Sequence, residues 1–159
     1  MKALVVYDSE YGNTQRIAKA IADAIGGGTR YLDVDDARHT NLEDLELLVV
    51  GSPTQGGRPT KAMQAFIKDM PRLEATQVAA FDTRFDYKTS GFFLRTLMGL
   101  IGYAAPRIDA ALRGKGGITV ARPAGFYVTG KEGPLEDSEL WRAAAWSGLM
   151  VGDGEAVGA

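Results

Sequence analysis

The chain has 159 residues, with 18 Lys and Arg against 20 Asp and Glu, a formal net charge of −2 and no cysteine. The length suits one domain with a sizeable core, and the balanced charge without a basic run argues against a nucleic-acid surface. Without a thiol there are no disulfides, no thiol catalysis and no Cys-ligated zinc or iron–sulfur centre.

Leu4, Val5, Val6 and Tyr7 read as a fully buried first strand that stops at a polar turn from Asp8 to Thr14. A helix follows, its apolar face Ile17, Ala18, Ile21, Ala22 and Ile25. The turn therefore joins a strand's carboxyl end to a helix's amino end, where exposed N–H groups and the helix dipole favour an anion such as phosphate. Gly26, Gly27 and Gly28 end the helix. Arg30 to Val34 mixes polar and apolar residues, as an edge strand does, and Asp35 to Asp44 is a polar loop whose His39 is expected to be solvated.

Leu45 to Val50 is the third strand, ending in a second loop, Gly51 to Pro59. Thr60 caps the next helix, with an apolar face of Ala62, Met63, Phe66, Ile67 and Met70 before Pro71. Gln77 to Phe81 is the fourth strand, with a polar tip of Asp82, Thr83, Arg84, Phe85, Asp86 and Tyr87. Ser90 to Leu112 reads as helix, broken near Gly102 to Ala105 ahead of Pro106, with its aromatic and Met side chains expected in the core. The fifth strand is split, Ile118 to Ala121 and Phe126 to Thr129, by Arg122-Pro123-Ala124-Gly125. After a loop from Gly130 to Pro134, a last helix over Glu136 to Met150 is expected to bury Leu140, Trp141, Ala144, Ala145 and Leu149.

This order predicts an α/β, doubly wound parallel sheet of five strands in the order 2-1-3-4-5, with helices on both faces. One domain over 1–151 and a frayed tail over 152–159 are expected. No stretch reaches the roughly 20 apolar residues of a membrane-spanning helix, and the start lacks a signal-peptide pattern. A cytoplasmic protein without membrane insertion is the expectation. Ligand-like loops at three strand ends place the binding site outside the carboxyl edge of the sheet.

The stretch Val5-Val6-Tyr7-Asp8-Ser9-Glu10-Tyr11-Gly12-Asn13-Thr14, followed by Ala18 and Ile21, resembles the flavodoxin signature, with every signature position filled. Neither a Gly-Lys-Ser/Thr phosphate loop nor a Gly-x-Gly-x-x-Gly fingerprint is present here, which favours a mononucleotide. The resemblance implies a flavodoxin-like fold and FMN as cofactor. Ser9, Asn13 and Thr14 are then side-chain donors to the phosphate, the N–H groups from Glu10 through Tyr11 and Gly12 to Thr14 converge on it, and Asp8 and Glu10 are expected to turn away. By the same resemblance Pro53, Thr54, Gln55, Gly56 and Gly57 border the flavin ring, the two glycines easing a peptide reorientation towards ring N5. Asp82, Thr83, Arg84, Phe85 and Tyr87 close over the ribityl chain and the other ring face.

Two features set this chain apart from the resemblance. Its second loop has no aromatic, leaving Phe85 or Tyr87 to stack, and Arg58 and Arg84 are expected near the ring, where a cation favours the anionic reduced flavin and two-electron chemistry. The expected function is an FMN-binding electron carrier with a redox partner protein or small-molecule acceptor. The alternatives are an FMN-dependent NAD(P)H oxidoreductase acting on quinones or similar acceptors, and a cofactor-free interaction module.

Overall fold

A computed structural model describes residues 1–87 and 90–151, so the expected tail at 152–159 lies outside the described residues. In chain order the elements are β1 (Ala3–Tyr7), α1 (Asn13–Ile25), β2 (Arg30–Asp33), α2 (Val34–Ala37), β3 (Leu47–Pro53), α3 (Lys61–Asp69), β4 (Gln77–Phe85), α4 (Phe92–Ile101), α5 (Ala104–Gly114), β5 (Ile118–Thr119), β6 (Ala124–Val128) and α6 (Glu139–Ser147). All named strands pair in parallel, in the order β2-β1-β3-β4-β5. The fifth position is shared as the sequence predicts: β5 pairs with the start of β4 at Gln77 and Val78, and β6 with its end from Phe81 to Phe85.

Alternation along the buried strands builds two cores. On one face Leu4, Val6, Leu48, Val50, Val78 and Ala80 meet α3 and α5 through Met63, Phe66, Ile67, Ile108 and Leu112. On the other, Val5, Tyr7, Val49, Ala79 and Phe81 meet α1 and α6 through Ile17, Ile21 and Ala143. Phe81 packs edge-on against Phe126 and Trp146, with ring centroids 6.2 and 6.3 Å apart.

Several boundaries differ from the sequence reading, each for a physical reason. β2 stops at Asp33, whose carboxylate accepts the Asp35 N–H at 2.8 Å and starts the short helix α2 where a loop was expected. β3 and β4 run on through Pro53 and Phe85 because the ladder continues, Gly51 opposite Phe81, Ser52 opposite Asp82 and Pro53 opposite Thr83. The supposed polar tip of the fourth strand is thus mostly strand interior, flanked by β3 and β6, and Asp82 and Thr83 are buried. Pro106 is the third residue of α5, in the first turn, where its missing N–H breaks no helical bond.

Two helix faces are corrections. α4 is not core: none of its residues is buried, and Phe92, Phe93 and Leu100 are 77%, 79% and 81% exposed. In α6 the buried face is Glu139, Ala143 and Ser147, while Leu140, Trp141 and Leu149 are exposed. The reason is the sheet edge. Glu139 accepts the Tyr127 N–H at 2.7 Å and Arg142 donates to the Gly125 carbonyl at 2.6 Å, so α6 turns polar side chains onto the open side of β6. Of the two tryptophans only Trp146 packs inward, its indole N–H on the Arg122 carbonyl at 2.9 Å.

Gly51 faces the Phe81 ring so closely that an added Cβ would overlap it. Gly51→Ala is expected to destabilise the fold by about 1–3 kcal/mol through overpacking, read as a lower urea midpoint at unchanged slope. A midpoint equal to that of the parent chain would show that this contact does not constrain the core.

Candidate functional site

The carboxyl ends of β1, β3, β4 and β6 surround a cleft of about 370 Å³, lined by Ser9, Glu10, Tyr11, Asn13, Thr14, Pro53, Thr54, Gln55, Thr83, Arg84, Phe85, Val128 and Lys131. That size suits a small organic ligand. Eleven of the expected residues thus meet here from three separate segments of the chain. Val128 and Lys131 were missed by sequence reasoning, although they too follow a strand's carboxyl end, the fifth, and the rule applied to the other strands points to them.

The first wall is the turn into α1. Gly12 is the cap residue at φ 91°, a backbone conformation that favours glycine, and no cap side chain bonds into the helix. Among the described residues no side chain accepts from the N–H groups of Asn13, Thr14 or Gln15, so the helix start is open to an anion. The contrast with α5 is informative. Its first two N–H groups are already taken, Ala104 by Thr54 Oγ1 at 3.0 Å and Ala105 by Asp82 Oδ2 at 2.8 Å, and its third residue is proline. Of the starts of α1 and α5, only that of α1 has donors to offer.

Side chains around the turn are arranged more specifically than the sequence suggests. Thr14 and Thr83 share a hydroxyl hydrogen bond of 2.9 Å in a buried position on the cleft wall. Ser9 Oγ accepts the Gly12 N–H at 3.0 Å, which removes that N–H from the expected cradle but leaves the Ser9 proton free to donate. Asn13 donates to the Glu132 carbonyl at 3.1 Å and so ties the turn to the loop after β6. Of the two carboxylates expected to turn away, Asp8 does so, accepting from Ser9 N–H and from Thr60 Oγ1 at 2.6 Å. Glu10 stays on the cleft wall, held by Gln55 Nε2 at 3.1 Å.

Gly56 and Gly57 do not line the cleft. They form the two-residue turn of a small hairpin, φ 58° and 79°, closed by Gln55 and Arg58 bonding each other's backbone at 2.8 and 3.1 Å. Gly57 lies against Ile101 and its carbonyl, where a Cβ would come within 2.5 Å of the side chain. Tyr87 also lies off the cleft lining and leans on Phe85, centroids 6.1 Å apart, which leaves Tyr11 and Phe85 as the aromatic rims.

The two arginines expected beside a ligand ring are differently placed. Arg58 faces another groove, between α3 and α5, with Lys68, Arg107 and Lys115. Arg84 does line the cleft, but its guanidinium forks onto the fully buried Asp82 through two bonds of 2.7 Å. Tyr103 lies over the other side of that guanidinium, 3.7 Å from centroid to Cζ, and Gly125 leaves it room, since a Cβ there would overlap it. Burial raises the Tyr103 phenol above its ordinary value, against the lowering pull of Arg84. The Asp82 carboxylate, expected beside a ligand, is used within the fold, holding Arg84 and the start of α5 together.

The family model described as flavodoxin matches residues 5–146. A flavodoxin of Aquifex aeolicus (strain VF5) is 34% identical over 73 residues, which is 43% of this chain and 40% of that protein, so the match spans well under half of the relative. Among solved structures, flavodoxin 1 of Bacillus cereus superposes with a TM-score of 0.71 at 18% identity, covering 94% of this chain and 96% of that one. The rubredoxin oxygen:oxidoreductase of Desulfovibrio gigas superposes at 0.70 and 16% identity, covering 93% of this chain but only 34% of that one. At these identities the structural matches establish the fold.

Replacing Arg84 by Ala leaves the Asp82 carboxylate buried without its cation. The expected cost is about 3 kcal/mol of unfolding free energy by chemical denaturation, since breaking a buried pair strands a charge. A loss below about 1 kcal/mol would mean that the fork adds little, as for an exposed pair.

Proposed function

Because the chain belongs to the flavodoxin family, we propose that it binds FMN in the cleft above β1, β3, β4 and β6 and passes electrons between redox partners. The observation that carries this reading is the open start of α1, facing a cleft walled by the Thr14 and Thr83 hydroxyls, beside a second helix start whose donors are already used. A phosphate monoester fits that donor set: N–H groups of Asn13 and Thr14, hydroxyls of Ser9 and Thr14, and the helix dipole. Lys131, on the same cleft wall as Asn13, supplies a cation that the turn itself lacks.

The remaining wall suits a flat, partly apolar ring. Tyr11, Pro53 and Phe85 offer apolar surface, Thr54 and Gln55 offer polar edges, and Thr83 lies between the two ends. When bound, the flavin supplies the redox chemistry, and these residues bind it, orient it and limit water around it. The carrier reading gains on the oxidoreductase one because neither arginine expected beside the ring offers it a free cation. Arg84 is neutralised by Asp82, and Arg58 lines the α3–α5 groove. A redox partner protein or a small-molecule acceptor takes up the electrons.

FMN titration by fluorescence quenching tests the site. Thr14→Val removes a hydroxyl at nearly constant volume, and affinity is expected to fall by about tenfold or more, the value of a hydrogen bond to a charged group. Unchanged affinity with native stability would move the phosphate elsewhere. Lys131→Gln is expected to weaken FMN binding most at low salt, the difference from the parent shrinking as ionic strength rises. Anaerobic reductive titration then separates the readings: stepwise one-electron reduction supports a carrier, and rapid NAD(P)H oxidation with a quinone supports the oxidoreductase. A protein that leaves FMN fluorescence unquenched is neither.

A further inference from the structure

α4 is the one helix, among the described residues, that buries none of its side chains. Its sequence from Phe92 to Ile101 carries seven large apolar residues and a single charge, Arg95. At about 100° per residue, Phe93, Leu94, Leu97, Met98, Leu100 and Ile101 sweep a continuous arc of about 160°. Leu94, Leu97 and Ile101, in the middle of that arc, are less exposed than Phe93 and Leu100 on its flank and Phe92 beyond it, so the helix leans the centre of the arc on the protein and leaves two rings and a leucine facing outward. A patch of this kind marks an interaction surface.

The charge beside it says what kind. Immediately past the carboxyl end of α4, Arg107 donates to the Ile101 carbonyl at 3.4 Å and lines the groove between α3 and α5 with Arg58, Lys68 and Lys115. That groove holds four cations and no carboxylate, and none of the four forms a salt bridge among the described residues, in a chain of net negative charge. A helix with a broad apolar arc next to a cationic groove matches the boundary between anionic headgroups and acyl chains, where rings and aliphatic groups enter the hydrocarbon and guanidinium groups stay at the phosphates. With ten residues α4 is about 15 Å long, half the thickness of the hydrocarbon core. No helix among the described residues is long and apolar enough to cross a membrane.

We propose that this chain docks on an anionic membrane surface through α4, with Phe92, Phe93 and Leu100 entering the interface and Arg58 and Arg107 meeting lipid phosphates. This departs from the sequence expectation of a protein without membrane insertion, and it stands independently of the flavin reading. It also orients the cleft, because Gly57 packs on Ile101 and Tyr103 on Arg84, so the bound face adjoins the second loop of the site.

The test is co-sedimentation of the purified full chain with vesicles of phosphatidylcholine alone or with about 30% phosphatidylglycerol. Binding is expected to the anionic vesicles. Arg58→Glu combined with Arg107→Glu should lower it at least about fivefold, and Phe92→Ser, Phe93→Ser and Leu100→Ser together should abolish it. All three apolar positions are solvent-exposed, so the triple variant keeps its fold, which circular dichroism and urea unfolding check. Failure to sediment with either vesicle overturns the proposal, as does binding that survives the triple variant. A dimer that the triple variant dissociates and that vesicles do not disrupt overturns it in favour of a second copy on α4. Capture of an acidic protein through Arg58 and Arg107 with no lipid binding overturns it in favour of a protein partner.

Discussion

The organising constraint at the carboxyl edge of this sheet is the buried carboxylate of Asp82. It lies in a strand with neighbours on both sides, where an unpaired charge is costly, and its bonds reach Arg84 on its own strand and the start of α5. Through Arg84 it fixes a guanidinium plate between Tyr103 and Gly125, and through the Ala105 N–H it fixes where α5 begins. Thr54, bonded to the neighbouring Ala104 N–H, ties the end of β3 to the same point. One desolvated charge thus joins β4 to the start of α5, beside the point where Thr54 joins the end of β3, at the wall of the cleft. The pair forms part of the cleft wall yet is internally neutral, so it shapes the site without giving it a net field.

That arrangement explains why the starts of α1 and α5 differ. An α/β protein produces such helix ends wherever a strand's carboxyl end leads into a helix, and each exposes N–H groups and a partial positive charge. α5 is sealed by side chains from two strands and by a proline that needs no partner. α1 starts at a glycine with nothing to cap it, and the residues that could have done so are turned aside: Asp8 to Thr60, Asn13 to Glu132, Ser9 to Gly12.

Much of this was legible in the sequence, and the misses have a common cause. β1, α1 and the order of the sheet follow from apolar runs and from helical spacing such as Ile17, Ala18 and Ile21, because those residues meet apolar partners. The sequence reading failed where a residue's partner was polar and distant. Asp82 to Phe85 looked like a loop because nothing local reveals that Arg84 and Ala105 satisfy Asp82. α6 was rotated by the same effect, since Glu139 faces inward to meet the β6 edge while Trp141 faces out. α4 erred in the opposite sense: its composition reads as core, and only the three-dimensional arrangement shows that nothing in the described chain covers it.

Gly125 and Arg84 belong to adjacent strands and share one volume, the arginine occupying the space that any larger residue at 125 would need. Neither position can be exchanged on its own without either a collision or an orphaned charge at Asp82. The three positions are therefore coupled in energy: the cost of changing two of them together differs from the sum of the two single changes.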